Sequence, residues 1–135
     1  MLQPARRKHR KEFRGTMTGV ATRGSSIAFG EFGLKAMECG WMSAAQIESA
    51  RRTITHHTKR LGRLYLRVFP HKPITKKAAG ARMGSGKADI HGYVAVIRPG
   101  TIIFELSGVT QEMAKEAMRL AAHKIGVATK FIVKA

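Results

Sequence analysis

Acidic residues are scarce in this sequence: eight Asp and Glu stand against 25 Lys and Arg in 135 residues, giving a formal charge of +17. A surface so one-sided repels itself in isolation and finds relief against a polyanion, which leaves RNA, DNA or an anionic membrane surface as candidate partners. Cysteine is nearly absent as well. Cys39 stands alone, which excludes an internal disulfide and points to a reducing compartment. With the six histidines (His9, His56, His57, His71, His91 and His123) it forms no metal-ligand spacing, so no metal is expected. Long apolar runs are missing: nothing approaches the roughly 20 residues of a spanning helix, and the opening Met1-Leu2-Gln3-Pro4-Ala5-Arg6-Arg7 has no apolar leader core. No membrane partner is therefore expected. Aromatic residues make up 7% of the chain; the N-terminal tail has only Phe13 and the long loop described below has none. This weighs against a generic single-strand binder, which needs stacking platforms.

The lack of acids also disfavours catalysis. Glu12, Glu31, Glu38, Glu48, Asp89, Glu105, Glu112 and Glu116 form no acid–base motif. Gly84-Ser85-Gly86-Lys87 invites comparison with a phosphate loop, but Ala81 stands where the first glycine belongs and Ala88 where a magnesium-binding hydroxyl belongs. There is no Gly-x-Ser-x-Gly elbow, and Cys39-Gly40-Trp41 matches no cysteine-protease signature. The sequence reads as a non-enzyme, without catalytic residues or cofactors.

Basic charge and a normal apolar fraction are what remain. Residues 1–26 hold Arg6, Arg7, Lys8, Arg10, Lys11, Arg14 and Arg23 against Glu12 alone and carry few bulky apolar side chains, so they read as an extended arm that orders on its partner. Residues 27–135 read as one α+β domain. Ile27 to Lys35 predicts a strand weakened by Gly30 and Gly33, where another backbone or RNA comes close. Ser43-Ala44-Ala45-Gln46 is a capping box opening a helix that runs to about Leu61 and stops at Gly62. On it Ile47, Ala50, Ile54 and Leu61 share an apolar sector, opposite Arg52, His56, Lys59, Arg60 and Arg63. A face basic almost without Glu marks RNA contact better than simple solvation does.

Leu64 to Phe69 predicts a strand with Leu64, Leu66 and Val68 inward, ended by Pro70. Residues 71–91 form a long basic, glycine-rich loop. Tyr93–Arg98 and Thr101–Leu106 flank Pro99-Gly100, a type II turn signal that predicts an antiparallel hairpin. Thr110 caps a second helix whose packing face is Met113, Ala114, Ala117, Met118, Ala121 and Ile125, and Thr129–Val133 predicts a closing strand. The expected architecture is a two-layer sandwich of a mainly antiparallel sheet with two helices.

Specific residues then appear in order: Met1-Leu2-Gln3-Pro4, Phe29-Gly30-Glu31-Phe32-Gly33-Leu34-Lys35, Gln46-Ile47-Glu48-Ser49-Ala50-Arg51-Arg52, Arg67-Val68-Phe69-Pro70-His71-Lys72-Pro73-Ile74-Thr75, Arg82-Met83-Gly84 and Leu120-Ala121-Ala122-His123-Lys124. Together they resemble the large-subunit ribosomal protein sixteen family of bacterial and organellar type, over the whole chain. The resemblance implies a structural constituent of the large ribosomal subunit that supports late assembly, bound to large-subunit rRNA and to neighbouring ribosomal proteins and not forming a homo-oligomer. It implies contact with tRNA in the A site, the P site being left open. It also implies the cytoplasmic ribosome of a bacterium, with a mitochondrial or plastid ribosome as the alternative. By this reading Arg6, Arg7, Lys8, Arg10, Lys11, Arg14, Arg23, Arg51, Arg52, Lys59, Arg60 and Arg63 meet rRNA. The loop residues Lys76, Lys77, Arg82, Met83, Gly84, Gly86 and Lys87 approach tRNA. Ser85 and Ala88 stand where many relatives have Lys and Gly, so this loop carries less charge and less backbone freedom; Gly92-Tyr93 replaces an aromatic pair. A free basic RNA- or DNA-binding module, or an RNA chaperone, is the competing reading.

Overall fold

A computed structural model describes residues 2–6, 9, 11–12, 14–76 and 90–135. Seven strands and two helices follow one another in the described residues: β1 (Phe32–Ala36), β2 (Gly40–Ser43), α1 (Ala44–His57), β3 (Arg63–Leu66), β4 (Lys72–Thr75), β5 (Ile90–Ile97), β6 (Ile102–Ser107), α2 (Gln111–Ala122) and β7 (Thr129–Val133). They build two antiparallel sheets, one in the order β3-β6-β1-β7 and the other β2-β5-β4. The α+β class is as the sequence predicts.

The helix starts follow from local chemistry. Ser43 and Gln46 satisfy each other's backbone N–H in a complete capping box at 3.2 and 2.9 Å. Thr110 Oγ1 accepts the Met113 N–H, and Glu112 sits in the first turn of α2. Ile47, Ala50 and Ile54 of α1 and Ala114, Ala117, Met118 and Ala121 of α2 are buried, as their spacing requires. They meet Leu34, Phe104 and Leu106 of the four-stranded sheet in one core. Burying an Ile or Leu side chain fully is worth about 1.5–3 kcal/mol, so these few positions carry much of the fold.

Five expectations are corrected. The Pro99–Gly100 turn forms, with Gly100 at φ +97° and the Thr101 N–H donating to the Arg98 carbonyl at 3.1 Å, but it makes no hairpin. β5 pairs with β2 and β4, while β6 pairs with β1 and β3. Ile102 to Leu106 are all buried, so β6 needs a neighbour on each side; the Gly100 N–H goes to the Ala36 carbonyl at 2.7 Å, steering the chain into the other sheet. Second, α1 ends at His57. Thr58 Oγ1 donates to the Ile54 carbonyl at 3.0 Å, and Lys59 and Arg60 then take left-handed φ of 53° and 63°. Leu61 consequently leaves the apolar sector and is 57% exposed.

Third, β1 starts at Phe32, because the N–H groups of Ala28, Phe29 and Gly30 turn away from any strand partner to one carboxylate, Glu105 Oε1, at 3.1, 2.7 and 2.7 Å. Gly30 does permit a close backbone, that of Leu106: a Cβ on Gly30 would lie 2.8 Å from the Leu106 carbonyl oxygen. Fourth, Leu66 is exposed rather than inward, since β3 lies at the sheet edge. Residues 71–91 are also not one loop, as β4 occupies Lys72–Thr75 and β5 begins at Ile90.

Candidate nucleic-acid interface

Local sequence decides which cations are left bare. Glu48 sits one helical turn before Arg51 and Arg52 and binds both, through Arg51 Nε at 3.0 Å and Arg52 Nε at 3.1 Å, with a second contact from the Arg51 guanidinium. The Arg51 hydrogen bond, foremost, holds the Glu48 carboxyl down at about 2 despite some desolvation, with Arg52 adding to it. The expected face free of Glu is therefore partly neutralised at its N-terminal end. On α2, Glu116 likewise binds Arg119, at 2.6 Å, and that bond lowers the Glu116 carboxyl. Glu105 is fully buried. Burial alone would raise its carboxyl, but the Gly30 N–H, the Arg67 guanidinium and the Phe29 and Ala28 N–H groups together hold it below the usual range.

Three acids among the described residues, Glu48, Glu105 and Glu116, thus tie arginines to the scaffold. Beyond these pairs lies a wider basic surface. Arg52, His56 and His57 from α1 face His123 and Lys124 after α2 across a groove of about 510 Å³, floored by Leu120 and Thr53. Around the corner the left-handed turn puts Lys59 and Arg60 into solvent, and Arg63 follows at the start of β3; all three are exposed. Arg52, Lys59, Arg60 and Arg63 thus flank the C-terminal end of α1, although only Arg52 is on the helix itself. Arg51 is drawn aside by Glu48.

The arm residues are placed individually. Arg6 and Arg23 are exposed, and Lys11 is half-buried. Arg14 lies over the Trp41 ring at 5.2 Å, Lys72 Nζ lies 5.5 Å from the centre of the same ring, and Lys72 donates to the Arg14 carbonyl. The arm is strapped to the domain further on: the Ala21 N–H donates to the Pro99 carbonyl at 2.9 Å and the Ile102 N–H to the Gly24 carbonyl at 2.8 Å. Lys76 is exposed just after β4. Arg7, Lys8, Arg10, Lys77, Arg82, Met83, Gly84, Gly86 and Lys87 lie outside the described residues.

Sequence reasoning missed several members of this surface. His57, His123 and Lys124 enter through the pairing of α1 with α2, which no local pattern announces. Arg67 was read only as part of a strand motif, yet it bridges Glu105 and the Ser26 carbonyl. Trp41, Tyr65 and Phe29 were passed over as aromatics, and each carries a cation on its ring.

The family model described as "Ribosomal protein L16p/L10e" matches residues 4–132. A relative from Albidiferax ferrireducens, named "Large ribosomal subunit protein uL16", is 58% identical over 134 residues, covering 99% of this chain and 97% of the relative. With a match of this extent, added to the ordered motifs and the bare basic surface, the chain belongs to the ribosomal protein L16p/L10e family.

Proposed function

We propose that this ribosomal protein is a structural constituent of the large subunit that binds large-subunit rRNA, supports late subunit assembly and contacts tRNA in the A site. The observation that carries the rRNA reading is the division of charge. Glu48 holds Arg51 and Arg52, Glu105 holds Arg67 and Glu116 holds Arg119, whereas Lys59, Arg60 and Arg63, exposed and met by no carboxylate among the described residues, gather around the end of α1 beside His56, His57, His123 and Lys124. Such a surface binds phosphates by displacing condensed cations, and its arginines offer forks for bidentate contact. By family resemblance the arm from Arg6 to Arg14, with Arg23, also binds rRNA. Neighbouring ribosomal proteins are the natural partners of the remaining faces, and the bacterial source of the relative supports a bacterial ribosome.

The tRNA contact rests on the resemblance at Lys76, Lys77, Arg82, Met83, Gly84, Gly86 and Lys87. Its test is separate. Arg82→Ala should reduce A-site tRNA binding to subunits that incorporate the protein normally; unchanged binding removes the tRNA role. For rRNA, the purified protein is titrated onto large-subunit particles stripped of it. If about eight phosphates are neutralised, log affinity should fall with log salt at a slope of roughly −6 to −7. A slope near zero, or equal affinity for unrelated RNA, would defeat the assignment.

A further inference from the structure

Among the described residues, most of the exposed bulky apolar side chains gather around one strand. Leu61, Leu66 and Phe69 belong to β3 and its flanks, and Phe29, 62% exposed, packs on it. Phe29 and Tyr65 stack with centroids 5.5 Å apart and planes 24° off parallel. Arg67 lies over the Phe29 ring at 5.3 Å and Arg63 over the Tyr65 ring at 5.5 Å. Arg63, Tyr65 and Arg67 alternate along the chain, so one face of an edge strand carries cation, ring and cation, with Phe29 joining the row. The two arginines differ. Arg67 is clamped by Glu105 and the Ser26 carbonyl and is only 17% exposed, whereas Arg63 is exposed and meets no carboxylate among the described residues.

From this juxtaposition we propose that Phe29 and Tyr65, rimmed by Arg63, form a stacking platform for a single unpaired RNA base, whose phosphate Arg63 binds. The proposal rests on the rRNA reading and sharpens it. A base presents a π-face that gains from a ring and from a guanidinium plane alike, and its phosphate supplies the charge Arg63 lacks. An aliphatic side chain of a protein partner would gain from Phe29 but would have to strip water from Arg63 without return. The Glu105 clamp fixes residues 28–30 and Arg67 before RNA arrives, so little ordering remains to be done on binding.

The test uses the full-length protein and two labelled strands: a short single-stranded oligoadenylate, and the same strand made abasic throughout, which keeps every phosphate. The wild type should bind the base-bearing strand roughly ten-fold more tightly, the scale of one stack. Phe29→Leu and Tyr65→Leu should each bring that ratio close to one, and Tyr65→Phe should preserve it. Loss of fold would also carry the ratio towards one, so thermal melts of each variant are read beside it, and only variants that melt within a few degrees of the wild type count. Equal binding of the two strands by the wild type would overturn the platform and leave the patch to a protein neighbour. A ratio that persists in both Leu variants would place stacking elsewhere and overturn it too. Failure to bind even the abasic strand would instead strike the phosphate-binding reading beneath it.

Discussion

Replacing Glu105 with Gln is the sharpest test of how this fold holds its arm-proximal segment. The side chain is fully buried and carries four partners: three consecutive backbone N–H groups from Ala28 to Gly30, and Arg67. Gln keeps the shape but removes the charge, turns one oxygen into a donor, and leaves Arg67 facing it without compensation. Breaking a buried pair in this way costs about 3–5 kcal/mol, and the partial exposure of Arg67 argues for the low end, about 3 kcal/mol. At about 2.1 cal/mol/K of unfolding entropy per residue, a loss of about 3 kcal/mol from a chain of 135 residues lowers Tm by roughly 10 °C. The pH dependence gives a second handle. The Glu105 carboxyl is held below its ordinary 4.5, so its contribution is fully present above about that pH and is lost as pH falls through the folded value. Gln does not titrate, so the gap between wild type and variant should be widest near neutrality and narrow in acid. Thermal melts of both proteins across this range decide it. A variant within about 2 °C of wild type at neutral pH, or a gap that widens in acid, would refute the reasoning.

Other consequences are as direct. Lys59→Gly with Arg60→Gly relieves two left-handed side-chain-bearing residues, and should raise stability by roughly 1 kcal/mol per site in denaturant titrations while shortening the salt slope of rRNA binding by about two. Gly62→Ala should do the reverse to the fold: its Cβ would lie 2.1 Å from the Ser107 carbonyl oxygen at φ +72°, and a destabilisation of about 2 kcal/mol or more is expected from the same titration. Glu48→Gln releases Arg51 and Arg52, so rRNA affinity at low salt should rise and its salt slope steepen by up to about two. An unchanged slope would mean that α1 faces away from RNA.

Where structure is encoded within a turn or two of chain, the sequence is legible. Both helix starts, the buried faces of α1 and α2, and β7 follow from caps and periodicity. The end of α1 does not, because Gly62 advertises a C-terminal cap that Thr58 pre-empts by bonding back to Ile54, four residues earlier than the glycine. β2 and β4 have four residues each, too few for a period-2 signal, and Pro73 in β4 argues against a strand unless the strand is an edge, which it is. The absent hairpin has a different reason. A turn motif reports the path of two residues, while strand partners are chosen by burial, and five consecutive buried residues in β6 outweigh the turn.

The same distinction governs the site. Counting charges along the chain identifies a polyanion binder, but which cations are available depends on pairings the chain makes over long distances. Arg67 meets Glu105 across 38 positions and so leaves the pool, whereas Arg63, four residues earlier at the start of β3, stays in it. The pairing of Glu48 with Arg51 and Arg52 lies within one helical turn and could have been read from spacing alone. Because acids are so few, each one that is buried or paired sets the local pattern: remove Glu105 and a rigid arginine becomes a loose one; remove Glu48 and a partly neutral helix face becomes fully basic. A surface tuned by deletion of charge in this way should be sensitive to added acid as well. On the proposed rRNA reading, each Glu introduced at Lys59, Arg60 or Arg63 would subtract a phosphate contact and add a repulsion, so charge reversal there should cost rRNA affinity clearly more than truncation to Ala at the same position.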